Sequence, residues 1–144
     1  MRSSSHGGNG GGIPPTAPVF TFVDVRDVAL AHVRAMSRPE AGGSRFYVVG
    51  GLFSNARLVR IVRDGFPQLG RWLPSEAEEA AAEDLPADHW GFDNARSREV
   101  LGVGYRGLSE SVVDTVESIL RFEGEGFVLG DIMAPVGAST GTEM

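Results

Sequence analysis

The 144-residue chain contains neither cysteine nor lysine. Without cysteine there is no disulfide, no thiolate nucleophile and no Cys-based zinc site. All 13 basic residues are Arg. A guanidinium stays protonated near neutral pH, so it can be neither a proton relay nor a Schiff-base amine. A Walker-type phosphate-binding lysine is excluded with it. Long apolar runs are missing too: none approaches the roughly 20 residues that span a bilayer. The opening stretch MRSSSHGGNGGGIPPTAP has no apolar h-region and does not read as a secretory signal. Positive charge is scarce. A net charge of −6 and an isoelectric point near 5.0 give no electrostatic reason to hold nucleic acid or an anionic membrane. The three histidines, His6, His32 and His89, are scattered without metal-ligand spacing. The expectations are a protein without metal, nucleic-acid or membrane partner, with cytoplasm as its compartment.

What is present is ordinary for a globular domain: 42% hydrophobic and 22% charged residues. Residues 1–18 are rich in Gly, Ser and Pro, bury too little to offset ordering, and read as a flexible lead-in. Residues 131–144 read as a disordered tail on the same grounds. Between them, 19–130 is the expected α/β domain. Val19–Val23 is β-branched and aromatic and predicts a strand. Asp24 can cap the helix that follows, whose residues Val25, Val28, Ala29, His32 and Met36 share one helical face and are expected to point inward. Phe46–Val49 is apolar on both faces. That pattern predicts a strand covered on both sides, as in a parallel sheet, ended by Gly50-Gly51. Ser54 or Asn55 can cap a second helix, with Leu58, Ile61 and Val62 inward and Arg57, Arg60 and Arg63 outward.

The second half is less regular. Glu76–Glu83 predicts an acidic surface loop or short helix, and Trp90–Phe92 a brief strand. Asp93 can cap a short helix that Gly102 ends. Ser109 is expected to open the last helix, with Leu108, Val112, Val113, Val116, Ile119 and Leu120 as its apolar stripe and Glu110, Asp114 and Glu117 on its wet side.

Few of these residues suggest chemistry. Gly102-Val103-Gly104-Tyr105-Arg106-Gly107 matches G-x-G-x-x-G ahead of a helix, but a charged helix precedes it rather than a buried strand. A helix stop followed by a turn accounts for those glycines, and the Gly7–Gly12 run has no strand before it. Asp24, Arg26 and Asp27 read as a cap plus an ion pair, not an acid–base cluster. His32 reads as a core histidine, and the run Glu76, Glu78, Glu79, Glu83 and Asp84 as a solvated surface. Trp72, Trp90 and Phe92 could equally line a ligand pocket or fill a small core.

Five segments together resemble a known family: FVDVRDVALAHVRAM from Phe22, RFYVVGG from Arg45, the helix ending in Asp64-Gly65-Phe66-Pro67, Phe92–Gly102, and LSESVVDTVESILRFEG over 108–124. In this order they resemble the C-terminal half of extended short-chain dehydrogenases, in the dihydroflavonol reductase group. Within that group the likeness is to fungal NADPH-dependent methylglyoxal and aldehyde reductases. Where the family often has Ser-Lys after the Asp93-Asn94 pair, Ala95-Arg96 stands here. The resemblance implies part of a Rossmann-type α/β fold with its small substrate domain, NADP(H) for the full-length family, and a small carbonyl substrate. It also implies a glycine-rich loop and a Tyr-x-x-x-Lys pair with an upstream Ser. Those are missing: Tyr47 and Tyr105 are followed four residues on by Gly51 and Ser109. No catalytic, cofactor-binding or metal residue is therefore assigned, and the chain by itself is expected to bind no cofactor. The expected function is a fragment, inactive alone, of an NAD(P)H-dependent reductase of aldehydes or ketones. A non-catalytic protein-interaction module on the same scaffold is the alternative. An exposed sheet edge is the expected surface for self-association.

Overall fold

The computed structural model describes residues 12–16, 19–82 and 85–124. They fall into two compact units divided between Val113 and Asp114. His6, most of the Gly7–Gly12 run, Glu83, Asp84 and the tail over 131–144 lie outside the described residues. The element order is β1 (Thr21–Phe22), α1 (Val25–Ser37), β2 (Gly51–Leu52), α2 (Asn55–Gly65), α3 (Glu76–Ala81), α4 (Ala95–Leu101) and α5 (Leu108–Gly124). Short 3-10 segments follow α1 at Pro39–Ala41 and α2 at Pro67–Trp72.

The strands differ from those the sequence predicts. Only Thr21–Phe22 of the first apolar run is paired, and its partner is Gly51–Leu52, antiparallel, with Thr21 opposite Leu52 and Phe22 opposite Gly51. Gly51 is thus part of a strand rather than its terminator. A Cβ there would lie 2.9 Å from a Phe22 ring carbon, so glycine permits the pairing. Phe46–Val49 is not paired as a strand. The parallel sheet its pattern predicts is not made by the described residues, because a strand needs a neighbour to donate to and none lies alongside. Trp90–Phe92 also carries no strand.

The helices start where short polar side chains can accept from their free amides. Asp24 accepts from the Arg26 amide at 2.8 Å to open α1. Ser54 accepts from the Arg57 amide at 3.1 Å to open α2. Ser75 and Glu78 form a reciprocal capping box on α3, so the acidic stretch is a helix. Its Glu79 bridges Arg60 and Arg63 of α2 at 3.2 and 2.8 Å, which draws Arg63 inward to a half-buried position. At α4 the N-cap is Asn94, while Asp93 accepts from the Ala95 amide at 2.8 Å. Gly102 ends α4 at φ 67°. The last helix opens at Leu108, one residue before the expected Ser109.

Two further expectations are corrected. The lead-in is not uniformly free: Thr16 is buried and its hydroxyl accepts from the Asn55 amide at 2.6 Å, and Asn55 Nδ2 donates to the Pro14 carbonyl at 3.0 Å. These bonds supply the ordering energy that composition alone did not reveal. The buried face of α1 is also different. Val25 and Met36 are 77% and 81% exposed and His32 is exposed, while Asp27 and Ala31 are buried. The helix carries apolar side chains on more than one face, so periodicity does not choose between them. Long-range polar contacts made by Asp27 and Arg34 choose instead. The core of the first unit is then Ala31, Ala41, Leu101 and Val103, flanked by Ala35, Phe46, Val48, Val100 and Tyr105.

Candidate functional site

The densest group of charged side chains lies where α1 and α5 begin. Asp24 and Asp27 come from the first turn region of α1, Arg106 from the turn before α5, and Glu110 from its first turn. Asp27 has no solvent exposure. One of its oxygens accepts from the Arg106 amide at 2.7 Å and the other from the Arg106 guanidinium. Arg106 Nε also reaches Glu110 at 3.2 Å. Asp24, 3% exposed, takes the Arg26 guanidinium on both oxygens at 2.7 and 2.8 Å. The side-chain hydrogen bond from Arg26 holds the Asp24 carboxyl well below its usual range, against the opposing effect of burial. The Arg26 amide and Ser111 add to the lowering.

Both buried carboxylates thus have their lone pairs committed to arginine and backbone donors. A committed carboxylate is a poor general base, because taking a proton breaks the bonds that hold it. The cluster joins two helix starts through Asp27 and Arg106, 79 residues apart in sequence, and its chemistry is architectural. The sequence reading of Asp24 and Arg26 as cap and ion pair matches this geometry. What it missed is Arg106, the partner of Asp27. The cation next to it in the sequence, Arg26, bonds Asp24 instead, so no local spacing pointed to Arg106.

Proton donors are placed as follows. The Ser97 hydroxyl is buried and donates to the Asn94 carbonyl at 2.7 Å. It therefore accepts from the Tyr105 hydroxyl, 2.6 Å away. The Tyr105 proton is held inside the fold, with the Arg98 guanidinium 4.8 Å from the ring. Tyr47 is 49% exposed. His32 Nδ1 lies 2.8 Å from the Val28 carbonyl of its own helix, on the surface rather than in the core. The two tryptophans fill no core: Trp72 is 64% exposed beneath the Arg71 guanidinium, and Trp90 is 43% exposed and tilted against buried Phe20. Among the described residues no group of His, Asp and Glu could hold a metal ion.

The glycine motif sits in the setting of a helix stop. Arg34 donates to the Leu101 carbonyl at 3.1 Å and also to that of Gly102, and Arg38 donates to the Val100 carbonyl at 2.7 Å. Cations on the last carbonyls suit the negative helix end. The same guanidiniums lie 3.2 and 3.3 Å from where a Gly102 Cβ would stand. Arginine side chains crowd the Gly102 position, while the space beside Gly104 and Gly107 is open.

Comparison with known proteins gives a consistent set of relatives. The chain is 46% identical over 111 residues to the ketoreductase azaE of Aspergillus niger, covering 77% of this chain and 32% of that one. It is 35% identical over 105 residues to the NADPH-dependent methylglyoxal reductase GRE2 of Saccharomyces cerevisiae. The crystal structure of yeast methylglyoxal/isovaleraldehyde reductase Gre2 with NADPH superposes at a TM-score of 0.65 and 31% identity, over 80% of this chain and 37% of that one. No family model matches. Over about three quarters of its own length the chain is homologous to fungal NADPH-dependent reductases of the Gre2 type. Its fold is part of the α/β, Rossmann-type architecture of the Gre2-type reductases. The chain spans about a third of the length of the curated short-chain reductases it matches. Among the described residues, no helix is long and apolar enough to cross a membrane.

Proposed function

We propose that residues 19–124 are the substrate-side segment of an NADPH-dependent reductase of aldehydes or ketones. The observation that carries this reading is the 46% identity over 111 residues to a ketoreductase. Three further matches to NADPH-dependent reductases or their structures support it. In this reading NADP(H) serves the whole reductase and supplies a hydride to a small carbonyl compound. The residues of this chain build the wall beside that chemistry, held in place by the Asp27–Arg106 pair. They supply no proton: Tyr105 is bonded inside the fold and Tyr47 has no ammonium beside it. In this chemistry a neighbouring ammonium is what favours proton release from a phenol, and the chain has no lysine to supply one.

The test is a chimera in which residues 19–124 replace the matching segment of the Aspergillus niger ketoreductase. NADPH-dependent ketone reduction, followed at 340 nm, is expected to survive within about an order of magnitude. A folded chimera without activity sinks the reading. The chain alone is expected to give no saturable enhancement of NADPH fluorescence and no turnover of an aldehyde.

A further inference from the structure

Trp90 is seated on the fold and still left open to water. Its ring packs on buried Phe20, with centroids 5.9 Å apart and planes tilted by 52°, while the residue stays 43% exposed. His89 meets Phe20 edge-on at 6.4 Å, and its Nδ1 donates to the Pro86 carbonyl at 2.9 Å. The His89 amide donates to the same carbonyl at 3.1 Å, so a short turn holds the base of Trp90. The other exposed tryptophan, Trp72, lies under the Arg71 guanidinium at 3.8 Å. Among the described residues no guanidinium covers the Trp90 ring in that way.

Three hydrogen bonds fix where this ring sits. Asn94, four residues on, donates through Nδ2 to the Val49 carbonyl at 2.6 Å. The Phe53 amide donates to the Phe20 carbonyl at 2.8 Å, and the Gly50 amide to the Phe22 carbonyl at 2.7 Å. Phe20, and Trp90 with it, are thereby held beside the stretch 49–53, which is the carboxyl end of the extended segment 45–49. In α/β architectures ligands lie outside the carboxyl ends of such segments, where the chain turns into the next helix. Here that helix is α2, opening at Asn55. An indole left open at such a place offers a broad apolar face at low entropic cost, because only two side-chain torsions orient it. Water is a poor partner for that face, and an apolar group of a bound molecule is a good one.

We propose that the open part of the Trp90 ring, backed by Phe20, is a specificity-determining contact for the apolar substituent of the carbonyl substrate, and that it favours an aryl ring over a short alkyl chain. The inference rests on the functional reading above and adds a substrate class to it, the aryl ketones. The test compares benzylacetone with butanone, which differ by the phenyl ring. In the ketoreductase chimera, Trp90→Ala is expected to raise KM for benzylacetone about threefold to tenfold. The kcat, the KM for butanone and the affinity for NADPH are expected to stay as in the parent. Trp90→Leu keeps an apolar side chain over Phe20 and is expected to lose the aryl preference too, so the test does not depend on how well the alanine variant folds. Trp90→Phe is expected to restore most of the preference. An active chimera with the same ratio of KM values for the two ketones in all three variants overturns the contact and leaves the functional reading standing.

The full 144-residue chain gives a readout that needs no turnover. Saturation-transfer NMR is expected to mark the ring protons of benzylacetone with the parent and with Trp72→Ala. With Trp90→Ala and Trp90→Leu about half of that signal or more is expected to be lost. A folded chimera without activity removes the functional reading, and an NMR signal that depends on Trp90 then leaves aryl binding at this ring standing. Equal signal in the parent and both variants overturns it.

Discussion

Asp27 shows how much one buried carboxylate can decide. It has no solvent contact and is held by the amide and guanidinium of a residue 79 positions away. Removing Arg106 leaves that charge unpaired in the interior, at an expected cost of about 3 kcal/mol. Arg106→Ala is therefore expected to lower the urea midpoint sharply, and Arg106→Lys to recover only part of it, since an ammonium cannot reproduce the guanidinium fork. An unchanged midpoint in Arg106→Ala would mean that the contact carries no weight. Asp24 makes a second prediction, about pH. Its folded-state value lies below the ordinary 3.8, held there first by Arg26. A depressed acid stabilises the fold at any pH above its unfolded value and loses that contribution as pH falls toward its folded value. Stability is expected to be level down to about pH 5 and to decline below about pH 4. In Asp24→Asn the acid limb should be shallower, and an identical acid slope would refute the assignment. Asp24 and its Arg26 partner are visible in the sequence because cap and pair are local. Arg106 is not, because nothing within a helical turn of Asp27 names it.

At the scale of elements, helix ends were more legible than strands. Ser54, Asp24 and Gly102 act where their side chains or backbone freedom say they should. Gly102 stands at φ 67° with two guanidiniums 3.2 and 3.3 Å from where a Cβ would stand, so Gly102→Ala is both strained and crowded. It is expected to cost about 1 kcal/mol or more, read as a lower thermal midpoint with α4 amides exchanging faster. At α3, Ser75→Ala removes the capping box and is expected to cost about 1 kcal/mol of local stability. Hydrogen exchange over residues 76–81 should rise while α1 is unaffected. Global destabilisation of equal size in α1 would show that α3 is not a separate local unit. Strands were less legible because apolar composition marks a segment as able to pair without saying with what. Phe46–Val49 has the stronger strand pattern but no partner among the described residues, whereas Gly51–Leu52 pairs because Phe22 lies opposite.

At the scale of the whole molecule, the first unit leaves several large apolar side chains exposed. Val25, Val33, Met36, Tyr47, Trp72 and Trp90 are all more than 40% exposed. Nine apolar side chains are buried among the described residues, three of them alanine, and the cluster of Ala31, Ala41, Leu101 and Val103 is built mainly of small side chains. A core this thin carries little hydrophobic stabilisation per residue ordered. The isolated chain is expected to melt broadly, to enhance ANS fluorescence and to self-associate as concentration rises. A sharp, concentration-independent melt of a monomer with no ANS signal would contradict this. The chimera, in contrast, should melt cooperatively if the reductase reading holds.

The sequence by itself determined the absence of lysine and cysteine chemistry, the cap of the first helix, the helix stop at Gly102, and a family likeness carried by five segments in order. Each of these depends on residue identity or on neighbours within one turn, where chain connectivity fixes the geometry. Only the tertiary structure decided which face of α1 is buried, that Gly51 pairs while Phe46–Val48 does not, that Thr16 is tied to Asn55, and that Asp27 belongs to Arg106. Those outcomes depend on which groups of distant segments meet. A buried charge or a free backbone amide accepts only a partner of complementary geometry, wherever in the sequence that partner stands.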